Sequence, residues 1–423
     1  MNSAQLIELT DKIEEKLTPY FKRIRQVVEF NQRKVLEAFQ KEQVSDYHFN
    51  PTTGYGYDDI GRDKLESVYA AVFSTEDALV RPQIISGTHA ITLSLFGVLR
   101  PGDELLYITG KPYDTLEEIV GLRGSGKGSL KDFHIGYDTV PLNEEGAVNY
   151  DMIKEKITAK TKMIGIQRSK GYDNRPSFSI HDIKAMVEYV RSIRPDIIVF
   201  VDNCYGEFTE KQEPTDVGVD LMAGSLIKNP GGGIAKTGGY IVGRADLIEL
   251  CANRLTAPGL GKETGASLYS LQEMYQGFFL APHVVGEALK GALYTACLLE
   301  SCGFKTSPSY KEPRTDLIQS VIFPDSESMV AFCQAIQKAS PINSHVTPYP
   351  SSMPGYEHDV IMAAGTFIQG ASMELTADGP IRPPYTAYVQ GGLTYEHVKI
   401  AVVNALKTLQ EKGFPLHIND DLN

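Results

Sequence analysis

The chain has 423 residues, 42% hydrophobic and 22% charged, with 41 basic against 53 acidic side chains for a net charge of −12. That composition belongs to a folded globular protein of two or three domains, and excludes a disordered, collagen-like or disulfide-rich small protein. The acidic balance repels phosphate backbones, so nucleic acid is not an expected partner.

Taken in order, the first forty residues place Leu6, Leu9, Ile13, Leu17, Phe21, Ile24, Val28, Val35 and Phe39 at mostly three- and four-residue steps. The spacing predicts a helix, with Pro19 starting a second one or kinking it. Its apolar stripe is expected to pack on the same chain or on a second subunit. A turn-rich loop follows over 50–59. From about Gly61 to Gly243, short apolar runs alternate with amphipathic stretches. Helices are expected over 63–73, 114–120 and 180–193, with another after the turn at 86–89. Strands are expected over 83–85, 104–108, 163–166, 197–201 and 240–242. This alternation predicts βα units and a mostly parallel sheet covered by helices on both faces. A long helical stretch over 267–302 is expected to break near Pro282. From about Phe304 the pattern reads as two or three strands with two helices, the last over 395–411. The expected organisation is a helical arm and loop over 1–60, a large α/β domain over 61–295 and a small α+β domain over 296–423.

Cys204, Cys251, Cys297, Cys302 and Cys333 form no C-x-x-C pair and are odd in number, which favours reduced, buried thiols. The start, Met1-Asn2-Ser3-Ala4-Gln5, lacks the basic-then-apolar plan of a secretory signal. The apolar run over 197–201 is too short to span a bilayer. A cytoplasmic protein without a membrane segment is expected. The nine histidines show no metal-ligand spacing, no metal site is expected, and no G-x-S-x-G hydrolase elbow occurs.

Four stretches carry chemistry. Val201-Asp202-Asn203-Cys204-Tyr205 ends a buried strand in a carboxylate, where open α/β sheets bind ligands. Ser225-Leu226-Ile227-Lys228 sets a lysine among small residues, 26 positions after Asp202; a desolvated lysine is a nucleophile toward carbonyls. Ser86-Gly87-Thr88-His89 is a tight turn into a helix, whose free backbone N–H groups suit a phosphate. Gly110-Lys111-Pro112-Tyr113 follows a strand and offers a ring that can stack on a flat ligand. Taken singly, each has an ordinary reading: a helix cap for Asp202, a solvated loop lysine for Lys228, a capped helix at Gly87, a core aromatic for Tyr113. Together they offer a phosphate cradle, a stacking ring, a carboxylate and a lysine, which suits pyridoxal 5′-phosphate (PLP).

The order and spacing of these stretches resemble the fold-type I PLP enzymes. More narrowly, Val201–Tyr205, Gly224–Lys228 and Gly238–Gly243 resemble the Cys/Met-metabolism family, in its bacterial methionine γ-lyase-like or aluminium-resistance branch. The resemblance implies a mostly parallel seven-stranded sheet in a large domain, a smaller C-terminal α+β domain, and carbon–sulfur elimination from an amino acid. It implies that Lys228 is the Schiff-base lysine and that Asp202 pairs with the pyridine nitrogen. Ser225, Gly87 and Thr88 would hold the phosphate, and His89 and Tyr205 would border the cofactor. Tyr113 would stack on the ring and assist proton transfer. Tyr55, from a neighbouring subunit of a homodimer or homotetramer, would complete the site. Two departures stand out. Tyr57 occupies the position of an arginine that serves the neighbour's phosphate, with Arg62 as a possible substitute. Tyr388 stands where an arginine would take the substrate carboxylate, leaving Arg382 first and Arg168 second as candidates for that role. An aminotransferase, a γ-replacement synthase and a non-catalytic scaffold linked to metal tolerance are the alternatives.

Overall fold

A computed structural model describes residues 3–354, 356–414 and 416. In chain order the helices and strands are α1 (Ser3–Lys41), α2 (Ile60–Val72), β1 (Asp77–Arg81), α3 (Gly87–Val98), β2 (Glu104–Tyr107), α4 (Asp114–Val120), β3 (Gly136–Thr139), α5 (Tyr150–Lys156), β4 (Thr161–Gln167), α6 (Ile180–Ile193), β5 (Ile198–Asp202), β6 (Leu221–Ser225), β7 (Gly239–Gly243), α7 (Ala245–Leu255) and α8 (Leu271–Ser301). They continue as β8 (Lys305–Ser307), β9 (Gln319–Ile322), α9 (Ser326–Lys338), β10 (Val360–Ala363), β11 (Thr376–Pro380), β12 (Thr386–Gln390) and α10 (Tyr395–Glu411).

The chain forms two compact units. The first, residues 31–170 and 175–281, holds a seven-stranded sheet in the order β1-β7-β6-β5-β4-β2-β3. Every neighbouring pair from β6 to β3 is parallel. β7 runs antiparallel to both β6 and β1. The sheet is therefore mostly parallel, and β4 to β7 are buried almost throughout, as two covered faces require. Local signals fix the helix starts. Asp59 accepts the Arg62 N–H ahead of α2, Ser86 accepts the His89 N–H ahead of α3, and Ser179 and Asp182 form a reciprocal cap on α6.

The second unit comprises residues up to 30, 171–174 and from 282 onward. Its sheet has five antiparallel strands, β10-β11-β12-β9-β8. α9, α10, the later turns of α8 and Leu6, Leu9, Ile13 and Leu17 of α1 share its apolar core.

Several sequence expectations change. α1 and α8 run uninterrupted through Pro19 and Pro282; a proline removes a single helix hydrogen bond, and buried neighbours such as Leu17, Ala281 and Val285 hold each helix together. The strand expected over 83–85 is instead connecting backbone, with Ile85 exposed. The strand nearest that stretch is β1, at one edge of the sheet, whose polar ends, Asp77 and Arg81, hide it from an apolar-run reading. Arg81 is buried because its guanidinium meets Glu66 at 2.6 Å and the carbonyls of Thr264 and Lys262. The C-terminal sheet has five strands where two or three were expected, because its short strands carry Gln, Ser, Thr, Asp and Gly among their apolar residues. All five cysteines are free and buried. Among the described residues no helix is long and apolar enough to cross a membrane.

Candidate active site

The site lies where the parallel strands end. β4 and β5 finish side by side with Gln167 opposite Asp202, and β5 pairs with β6 two residues before Ser225. Asp202 is buried, and its Oδ1 accepts the Cys204 N–H at 3.1 Å. Burial pushes its carboxyl above the usual range, opposed by the Lys228 charge, by the Cys204 hydrogen bonds and by Arg175. Lys228 follows β6 and holds its Nζ 4.1 Å from the centre of the Tyr205 ring. Burial works against the Lys228 ammonium, but Cys204, Tyr205, Asp202 and Glu207 outweigh it and hold the proton on the amine. Tyr205 is in the left-handed region at φ 73, and Phe208 is at φ 63. Two such side-chain-bearing residues within four positions mark a loop forced into shape by its surroundings, a frequent feature of functional sites.

The turn into α3 faces the same strand ends. A Cβ on Gly87 would lie 3.0 Å from Cys204 Sγ and 3.3 Å from Ser225 Cβ. The α3 N-terminus therefore opens onto β5 and β6 only because residue 87 lacks a side chain. Ser225 Oγ is buried with no hydrogen-bond partner, an arrangement that costs stability unless a ligand supplies the acceptor. Thr88 Oγ1 lies 3.1 Å from Thr115 Oγ1 at the start of α4. His89 Nδ1 accepts the Ile85 N–H at 3.2 Å, and burial lowers the pKa of its ring. Its visible role is to shape the turn. Tyr113 is the residue preceding α4, half-buried against the core of the sheet.

Other candidates are placed differently. Arg168 is fully buried, and its five N–H groups are consumed: Nε by Phe178 O, Nη1 by Asn203 Oδ1 and Gly206 O, Nη2 by Thr209 Oγ1 and Glu210 Oε2. That corrects its assignment as a substrate-carboxylate residue; a guanidinium saturated by its own fold has no donor to spare. Arg62 gives its Nε to Asp63 and its Nη1 to the carbonyls of Gly56 and Gly265, which ties it to its own loop. It braces the loop that presents Tyr55 and Tyr57, which are 74% and 55% exposed and stacked at 5.4 Å. In the second unit, Tyr388 is buried and donates its hydroxyl to Tyr172 O at 2.8 Å. Arg382 lies in the β11–β12 turn beside a cavity of about 140 Å³, which Tyr172, Asn174, Thr386 and Tyr388 also line. Among the described residues its guanidinium has no hydrogen bond or ion pair.

Residues 6–410 match the family model for methionine gamma-lyase. The chain belongs to the methionine gamma-lyase family. It is a PLP-dependent carbon–sulfur lyase of fold type I. The Bacillus subtilis protein YnbB is 67% identical over 402 residues, 95% of this chain and 96% of that protein. A Listeria monocytogenes protein, provisionally described as a cystathionine beta-lyase involved in aluminum resistance, is 66% identical; the alignment covers 95% of this chain and 99% of that one, at a TM-score of 0.93. The Clostridium novyi carbon–sulfur lyase involved in aluminum resistance is 50% identical over 96% of both chains, with a TM-score of 0.92.

The residues of this family member fit its cofactor. The orphaned Ser225 hydroxyl, the side-chain-free approach at Gly87 and the open α3 N-terminus suit a phosphate. The buried Asp202 carboxylate suits a protonated ring nitrogen, and Lys228 suits the aldehyde. Gly87→Val fills that cradle. It is expected to weaken cofactor retention by about 1.4–2.8 kcal/mol, roughly ten- to a hundredfold, as read by equilibrium dialysis. Unchanged retention would place the phosphate elsewhere. Sequence reasoning missed Cys204, Arg175 and Glu207 at this site. Cys204 and Glu207 lie within five positions of Asp202, so proximity along the chain was the available signal.

Proposed function

We propose that this lyase eliminates a thiol from a sulfur amino acid of the methionine or cystathionine type, leaving a 2-oxo acid and ammonia. The observation that carries the reading is the Lys228–Tyr205–Asp202 cluster at the strand ends, beside the unpartnered Ser225 hydroxyl. When bound, PLP supplies an electrophilic carbon and a ring that stores an electron pair.

Lys228 would anchor the cofactor through its amine, and the same amine, when free, would serve as the base for the substrate's α-proton. Asp202 keeps the ring nitrogen protonated, and its burial strengthens that pairing. Ser225, Gly87, Thr88 and the turn shaped by His89 hold the phosphate. Tyr205 and Tyr113 border the ring, and Tyr113 assists the proton transfer. The carbon–sulfur bond breaks with its electron pair going to sulfur, which leaves as a thiol after gaining a proton. Water then hydrolyses the released unsaturated amine. The exposed Tyr55–Tyr57 pair is assigned to a neighbouring subunit's site in a homodimer or homotetramer, a role its exposure supports.

Arg382 is assigned to the substrate carboxylate, because its guanidinium makes no hydrogen bond or ion pair among the described residues and its fork matches a carboxylate. Arg382→Ala is expected to raise KM by roughly tenfold or more, with a smaller change in kcat. A kcat loss at constant KM would remove it from that role.

Product analysis decides the reaction. L-Methionine should give methanethiol and 2-oxobutyrate by γ-elimination. L-Cystathionine should give homocysteine and pyruvate by β-elimination, or cysteine and 2-oxobutyrate by γ-elimination. Accumulation of pyridoxamine phosphate with no thiol would overturn the proposal in favour of transamination. Turnover only with an added thiol acceptor substrate would favour replacement.

A further inference from the structure

The β11–β12 hairpin carries a buried acid, Asp378, that no step above uses. Its oxygens go to neutral donors. The Tyr172 hydroxyl donates to Oδ2 at 2.8 Å, and Gln390 Nε2 lies 3.2 Å from Oδ1 and 3.3 Å from Oδ2. Tyr388, directly across the ladder from Asp378, donates its own hydroxyl to the Tyr172 carbonyl at 2.8 Å. The Tyr172 ring packs 5.1 Å from the Tyr388 ring and 5.6 Å from that of Tyr356. Tyr172 is thus held at its hydroxyl, its ring and its carbonyl by two paired strands. Tyr172 and Tyr388 line the cavity beside Arg382. Arg382 itself follows Asp378 by four residues, in the turn of the same hairpin. One hairpin therefore supplies the guanidinium, one wall of the cavity and the acceptor that fixes the other wall.

We infer that Asp378 is a positioning residue for substrate binding: it pins the Tyr172 hydroxyl, which sets Tyr172 as a wall of the cavity beside Arg382 and keeps that cavity shaped for a carboxylate. The inference rests on the assignment of Arg382 made above. The bond does not depend on an ionised acid. Burial pushes the Asp378 carboxyl up to about 7, and the Tyr172 hydroxyl pulls it down; a neutral carboxylic acid still offers its carbonyl oxygen to a phenol. What matters is the acceptor. Without it the half-buried phenol has to turn toward another partner or water, and the wall moves with it.

The test uses the full-length loaded enzyme, with L-methionine and L-cystathionine as substrates. Asp378→Ala and Tyr172→Phe cut the same bond from opposite ends. Each is expected to raise KM by roughly five- to tenfold, with a smaller change in kcat. Asp378→Asn keeps an oxygen for the phenol and should hold KM within about twofold of wild type. In an Arg382→Ala background neither cut should raise KM further, because the cavity has already lost its guanidinium. A residue that merely braces the fold would lower stability and leave KM alone, or would add its effect to that of Arg382→Ala; either result overturns the inference. If Asp378→Ala fails to fold, Tyr172→Phe answers instead, and a wild-type KM in that variant overturns it. If Arg382→Ala itself leaves KM unchanged, the carboxylate reading is what fails. Hydrogen exchange of a peptide spanning residues 171–174 then reports on Asp378 separately. Exchange roughly tenfold faster in Asp378→Ala and Tyr172→Phe, but not in Asp378→Asn, upholds the pinning, and equal exchange in all three refutes it.

Discussion

Lys228→Ala is expected to lower kcat by roughly ten-thousandfold or more, with loss of the visible band of lysine-bound cofactor. The side chain is surrounded by groups that favour its charged form, and it is the single lysine in the cluster formed with Asp202, Tyr205 and Glu207. Truncation removes both the anchor of the cofactor and the base for the α-proton. It also deletes the cation facing Asp202, whose carboxyl already sits above its usual range because it is buried. Asp202 should therefore take up a proton more readily in the variant. A small primary amine fits the vacated volume and carries the missing functional group. Its addition should restore part of the activity, rising with the amine's concentration and with pH as more of it is unprotonated. A variant that kept most of its activity, or that no amine rescued while the fold stayed intact, would remove Lys228 from the reaction.

The site was legible where chemistry and backbone signal coincide in one short stretch. Asp202 closes an apolar strand, Gly87 opens a helix behind a capping serine, and Lys228 follows small residues. Each is a local pattern, and the parallel sheet brings their ends together. β6 was not legible as a strand, because Leu-Met-Ala-Gly-Ser has little β-propensity. Its small residues are required by packing that the sequence does not display: at Gly224 any Cβ would collide with Glu207 and Tyr240. The first helix was legible from its apolar spacing, but its continuity through Pro19 depends on tertiary contacts of the neighbouring turns. Arginine roles were the least legible. Arg168, Arg62 and Arg382 look alike as letters, yet the Arg168 guanidinium is saturated and Arg62 is tied through Nη1 to the carbonyls of Gly56 and Gly265, whereas Arg382 makes no such bond among the described residues. Those partners lie up to 203 positions away, beyond the reach of any local reading.

Arg168→Met should therefore read out as a loss of stability, not of substrate affinity. The guanidinium satisfies Asn203 and the Gly206 carbonyl at 2.9 Å, Glu210 at 2.7 Å and Thr209 at 3.3 Å, and stands 3.7 Å from buried Glu213. A methionine replaces the aliphatic stem, removes the guanidinium and leaves these acceptors unpaired. Breaking a buried pair in this way costs about 3–5 kcal/mol. The cost should depend on pH. Burial raises the Glu213 carboxyl, while Lys34 and Arg168 pull it back. Without Arg168 it rises further, and an acid whose folded pKa lies above its unfolded one loses stability as pH climbs through the unfolded value. Denaturant unfolding should thus show a smaller deficit below the ordinary carboxylate range and the full deficit above the raised folded value. Gly206 sharpens the argument, because a Cβ there would lie 2.6 Å from the Arg168 side chain. The loop between Asp202 and Glu207 is shaped around this arginine, so the variant should also slow turnover by misplacing Tyr205, with KM little changed. A KM increase at unaltered stability would return Arg168 to the substrate.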